Sequence, residues 1–156
     1  MNELEKIVHY LVKQSLTAIK EKIGITDAIL DYLAIFSKDQ DEFQNLELAA
    51  QKLGEPVFQE NNKTGHTYLL HAPIQTEAGP LKFLKVRLPD KTRPQRGAPD
   101  FKIHDYQTFK EKWLGSSGTF TLMPRKDYEM IEMKGEDVLI YFPSKTADER
   151  LGQNVG

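Results

Sequence analysis

The chain has 156 residues, of which 39% are hydrophobic and 28% charged, with a formal net charge of −2. This is the composition of one folded domain, long enough to bury roughly two-thirds of its unfolded surface. The absence of cysteine excludes a disulfide scaffold, a cysteine zinc site and a thiol nucleophile.

The near-neutral balance gives no global pull toward nucleic acid or anionic membrane. Glu3 and Glu5 stand where a signal peptide would carry basic residues, and no apolar run approaches the ~18 residues of a membrane span. A cytoplasmic protein is expected, with neither nucleic acid nor membrane as partner.

Leu4, Ile7, Val8, Leu11, Val12, Leu16, Ile19 and Ile23 recur at spacings of three and four. Residues 4–23 are therefore predicted as an amphipathic helix, stopped at Gly24. The expectation is packing on a sheet, with a partner-binding face as the rival. Residues 31–36 follow as a buried strand. Cap chemistry at 37–41 opens a helix that runs to Lys52 or Leu53 and ends at Gly54. Then come a short strand over 56–60, a turn over 61–65, a strand over 66–71, a loop holding Gly79-Pro80, and a strand over 81–88.

Residues 89–99 have the composition of a connector. A strand over 100–103 leads through His104-Asp105 into a helix with Tyr106, Phe109, Trp113 and Leu114 on one side, broken at 115–118. Strands over 120–122, 128–133 and 138–142 complete the chain, the last two joined by a hairpin at 134–137. The order is βαβββ twice behind a helical lead. The expected fold is α+β: an N-terminal helix plus two modules forming a mixed, strongly curved sheet, with helices outside and a concave trough inside. The boundaries are 1–28 for the helical extension, 29–89 and 99–143 for the modules, and 144–156 for a C-terminal tail.

Three stretches carry a family resemblance. They are Asp31-Tyr32-Leu33-Ala34-Ile35, with a helix ending at Leu53-Gly54 behind it; Val86-Arg87-Leu88-Pro89; and Asp100-Phe101-Lys102-Ile103. They resemble the opening and closing strands of the first module, and the opening strand of the second, in the vicinal oxygen chelate superfamily. That superfamily includes glyoxalase I, bleomycin-resistance proteins and extradiol dioxygenases. Over residues 29–143 the chain looks most like small members with an N-terminal helical segment. The resemblance implies modules that often pair across two chains, hence a homodimer, and a divalent metal held by His or Glu on opening and closing strands. At those positions this chain has Tyr32, Arg87, Pro99 or Asp100, and Tyr141. Arginine repels a cation and only Asp100 is a suitable ligand, so no metal or other cofactor is expected.

His9, His66, His71 and His104 show no local metal spacing, and His66 and His71 fall on opposite faces of one strand. The strand over 81–88 is more informative. Leu84, Val86 and Leu88 alternate with Phe83, Lys85 and Arg87, so two cations share the face opposite an apolar one. In a trough they would suit a carboxylate or phosphate. On a solvated face they would pair with Glu129 or Glu132. Tyr128, Met130 and Glu132 share one side of their strand, which makes Glu132 either a trough acid or a partner of Lys85 or Arg87. The cations of 91–97 suit a solvated loop, and there is no phosphate loop, dinucleotide motif, nucleophile elbow or calcium loop.

The function expected from these residues is metal-independent binding of a small anionic or polar ligand by Tyr32, Lys85, Arg87 and Glu132. No catalytic residue is assigned. The alternatives are a lyase, isomerase or dioxygenase-type enzyme, with or without metal, and a pocketless protein-interaction module.

Overall fold

Helix α1 (Glu3–Ile23) begins where the Asn2 side chain accepts the Glu5 N–H and ends at Gly24, whose φ of 71° suits glycine. Its apolar stripe, Leu4, Ile7, Val8, Leu11, Val12 and Ile19, is buried almost completely. In the computed structural model, which describes residues 1–57, 62–115 and 119–151, that stripe lies on a single eight-stranded sheet.

The remaining elements follow in chain order. They are β1 (Ile29–Phe36), α2 (Gln40–Leu53), β2 (Gly54–Pro56), β3 (Thr67–Thr76), β4 (Gly79–Arg87), β5 (Gly97–Lys102), α3 (Tyr106–Trp113), β6 (Phe120–Pro124), β7 (Glu129–Gly135), β8 (Val138–Pro143) and α4 (Ala147–Leu151). Asp39 and Asp105 cap α2 and α3 by accepting N–H groups of their first turns. The two βαβββ units are thus present. The sheet order β2-β3-β4-β1-β5-β8-β7-β6 lays them end to end. Within each unit the first and last strands are parallel, β1 with β4 and β5 with β8, and the antiparallel β1–β5 pair is the seam between units. The fold is α+β with a mixed, curved sheet, as expected.

Alternation sorts every strand into two faces. Leu33, Ile35, Leu84, Val86, Phe101, Ile131, Met133, Ile140 and Phe142 face the helices and form the main core. Ala34, Phe36, Ala98, Met130, Leu139 and Tyr141 face the opposite way and form a second cluster. Helix α1 crosses the seam, touching β1, β5, β7 and β8. Gly97 permits this: a Cβ there would lie 2.5 Å from the Ala34 carbonyl oxygen and 2.6 Å from Leu11 Cδ1. Tyr10 donates to Asp137 at 2.8 Å, and Gln14 to the Glu136 carbonyl at 3.2 Å, tying the helix to the β7–β8 hairpin.

Helix α1 packs on the sheet as expected, and three other sequence expectations change. Leu4, Ile7 and Leu11 are 1%, 5% and 0% exposed, so α1 is core and offers no free partner face through them. Strands β3 and β4 run on to a tight hairpin at 77–78, where Thr76 Oγ1 donates to the Gly79 carbonyl at 2.6 Å and accepts the Ala78 N–H at 3.1 Å. The ladder resumes after a register shift between Leu69 and Ile74, which accommodates Pro73. Strand β5 starts at Gly97 because Gly97, Ala98 and Pro99 already pair with Ile35, Ala34 and Leu33. The tail contains a helix, α4. The strand expected over 56–60, the turn over 61–65 and the break over 115–118 fall partly outside the described residues.

Candidate functional site

The face of the sheet away from α1, α2 and α3 carries a cavity of about 340 Å³, lined by Tyr32, Ala34, Phe36, Lys85, Arg87, Arg93, Ala98, Asp100, Arg125, Tyr128, Met130, Tyr141 and Arg150. Strand register explains its floor. Tyr32 is opposite Asp100, Asp100 opposite Tyr141, and Tyr141 opposite Glu132, which makes a polar row across four strands. One pleat further along β1, Lys85 is opposite Ala34 and Ala34 opposite Ala98. Two methyl groups at the seam leave the depression. Side chains from both modules surround it.

Five lining residues are cationic and one, Asp100, is acidic. Asp100 is 3% exposed and binds Arg150 Nη2 at 2.9 Å. Burial pushes its carboxyl up to about 7, against the pull of the Arg150 guanidinium. Arg150 lies 4.9 Å from the Tyr128 ring centre and 5.7 Å from that of Tyr32, so it is held by two rings as well as one carboxylate. Tyr32 shares a hydrogen bond of 3.3 Å with Thr67 Oγ1, and burial raises the pKa of its hydroxyl.

Lys85 and Arg87 differ from Arg150. Neither has a carboxylate within ion-pair distance among the described residues. Burial, followed by repulsion from Arg87, lowers the Lys85 ammonium to about 8. Arg87 lies 5.1 Å from the centre of the Phe36 ring and Arg93 lies 5.9 Å from it, so Phe36 supports two guanidinium groups at the cavity rim.

A lysine lowered from 10.5 to about 8 holds fewer protons folded than unfolded between those values. Its charge therefore weakens the fold fully below pH 8, and the penalty disappears as pH rises toward 10.5. Lys85→Met is expected to stabilise the protein at pH 7 by about 1 kcal/mol, after allowing for screening of its exposed part. Urea unfolding at pH 7 and pH 10.5 checks this: the gain should shrink at the higher pH.

Three of the four expected site residues, Tyr32, Lys85 and Arg87, come together in the cavity. Glu132 continues the polar row beyond Tyr141, whose hydroxyl it accepts at 3.0 Å, and does not line the cavity. It is no partner of Lys85 or Arg87, because three strands separate β4 from β7. Nor is Glu129, which binds Lys110 at 2.7 Å and Tyr106 at 2.7 Å on the helix side. Of the second-module positions weighed for a metal ligand, Asp100 and Tyr141 reach the cavity and Pro99 does not. The four histidines lie away from it. Among the described residues, no group of three or more His, Asp or Glu is arranged to hold a metal ion.

Sequence reasoning missed Arg93, Arg125, Tyr128 as a lining group and, above all, Arg150. Residues 91–97 are not simply a solvated loop. Arg93 lines the cavity, while Arg96 makes a two-pronged pair with Glu42 at 2.7 and 2.9 Å and donates to the Phe36 carbonyl. Arg150 had a readable signal. Thr146 and Glu149 have the spacing of a capping box, and each side chain accepts the other's N–H, at 3.2 and 3.0 Å. Helix α4 is fixed by Ala147 N–H donating to the buried Asp31 carboxylate at 2.6 Å. Ala147 and Leu151 also pack with Val57 and Phe83.

No family model matches the chain, and no curated protein matches it significantly. A solved structure described as "Structural Genomics, Protein EC4020" superposes with a TM-score of 0.71 at 16% identity, covering 96% of this chain and 91% of that one. The likeness is one of fold. It spans nearly the whole of both chains. None of the helices described is long and apolar enough to cross a membrane.

Proposed function

We propose that this protein binds a small anion in the trough between its two modules, and that it is a metal-independent relative of the vicinal oxygen chelate superfamily. One observation carries the binding reading: Lys85 and Arg87 sit side by side on β4, within a cavity and without a carboxylate partner among the described residues. Desolvating two like charges is unfavourable unless a counter-charge arrives. An anion of the ligand supplies it, and arginine's fork adds two-point recognition of a carboxylate or phosphate.

The family proposal rests on the paired βαβββ units and on the convergence of Tyr32, Arg87, Asp100 and Tyr141 on one cavity. As donors they do not fit a divalent cation. Two are phenols, one is a guanidinium, and the single carboxylate is already held by Arg150. The chemistry available is orientation of an anion, with tyrosine hydroxyls as additional polar contacts.

Titration calorimetry with inorganic phosphate and acetate at low ionic strength tests the reading. Wild type should bind at least one of them. Arg87→Ala should weaken that binding by about tenfold or more, the value of a charge-assisted hydrogen bond. Absence of binding by wild type, or full affinity in the variant, would overturn it.

A further inference from the structure

The trough has shape as well as charge. On β1 the residues facing it are Tyr32, Ala34 and Phe36. Four residues at ~3.3 Å each set the two aromatic residues ~13 Å apart along the strand. Only methyl groups lie between them, because Ala34 is directly opposite Ala98 across the seam. A ring inserted there would rest on the two methyl groups, with Tyr32 towards one end and Phe36 towards the other. On the flank, Lys85 is level with Ala34 and Arg87 is level with Phe36. The slot therefore has an apolar floor, an aromatic residue towards each end (Tyr32 reaching across to Thr67, Phe36 carrying Arg87 and Arg93) and Lys85 and Arg87 along one side.

We propose that the ligand is a small organic acid with a planar ring. The ring would lie over Ala34 and Ala98 between Tyr32 and Phe36, and the acid group would be held by Lys85 and Arg87. This inference rests on the anion-binding reading and goes beyond it in assigning the body of the ligand. It also makes the two alanines the residues that determine specificity. A simple anion site needs no cleared floor: larger side chains at Ala34 and Ala98 would leave the cations in place. A ring-bearing acid requires that space. Removing the ring's apolar surface from water also adds affinity that acetate or phosphate cannot gain.

The probes are benzoate, cyclohexanecarboxylate, acetate and inorganic phosphate, measured by titration calorimetry against the full chain. Benzoate should bind about tenfold or more tightly than acetate, and more tightly than the puckered ring of cyclohexanecarboxylate. Ala34→Leu fills the slot and should lower the ratio of benzoate to phosphate affinity by about tenfold. Ala98→Val, a smaller intrusion from the other side of the seam, should lower the same ratio and serves if Ala34→Leu does not fold. Equal affinity for benzoate and acetate, or an unchanged ratio in a folded floor variant, overturns the ring assignment. Phosphate bound without benzoate leaves the anion reading standing and removes this one. Binding of none of the four removes both.

Discussion

Replacing Arg150 with alanine is expected to cost about 3 kcal/mol of folding stability at pH 8, and markedly less at pH 5. Its guanidinium is the only cation within ion-pair distance of Asp100 among the described residues, at 2.9 Å. The two side chains are 10% and 5% exposed, and removing one member of so buried a pair leaves a costly lone charge. The pH dependence follows from linkage. Asp100 already titrates near 7 when folded, against 3.8 for an ordinary aspartate. The native protein therefore holds the extra proton between those values, and stability falls as pH rises through that window. Without Arg150 the folded carboxyl moves higher still, so the penalty continues to grow above pH 7. At pH 5 the group is protonated in both proteins and the difference narrows. Urea unfolding of both at pH 5 and pH 8 measures it. An equal loss at the two values would mean that lost packing on Tyr32 and Tyr128, and not the lone carboxylate, sets the cost.

Leu11→Ala is expected to destabilise the fold by about 3–4 kcal/mol, the range of a fully buried leucine whose cavity cannot collapse. Leu11 is 0% exposed. Its methyl groups lie where a Cβ on Gly97 would stand, so the floor beneath it is backbone and cannot move up to fill the void. Chemical unfolding gives the number. A loss below about 1 kcal/mol would indicate that α1 is an appendage and not part of the core.

The polar side of β4 was legible because alternation is a local property: a strand with Leu84 and Val86 on one face must show Lys85 and Arg87 on the other. Tyr32 was legible through the resemblance, as the residue at the opening-strand ligand position of the first module. Strand neighbours were not legible. Glu132 was matched with Lys85 or Arg87 on charge, yet the order of eight strands puts β1, β5 and β8 between them, and nothing near either residue encodes that order. Arg150 escaped because a five-residue helix is too short for periodicity, leaving only its capping box as a sign. Arg93 sits in a segment whose proline, glycine and charge suit a connector, and composition cannot tell a residue facing solvent from one stacked on Phe36.

Asp31 exposes the limit of alternation most clearly. A strict two-residue period places it with Leu33 and Ile35 against the helices, where an aspartate has no business. In the β1–β5 ladder Leu30 pairs with Phe101 and Tyr32 with Asp100, so Asp31 is one residue more than the partner strand has. An extra residue of this kind adds a side chain without shifting the face of any other. The anchor of α4 is therefore an insertion in the strand and takes no position from the cavity floor. Asp31 and Tyr32 are neighbours in the chain, but they answer to separate constraints: one fastens the tail that delivers Arg150, and the other shapes the slot. They meet again at Arg150, whose guanidinium lies 5.7 Å from the Tyr32 ring centre.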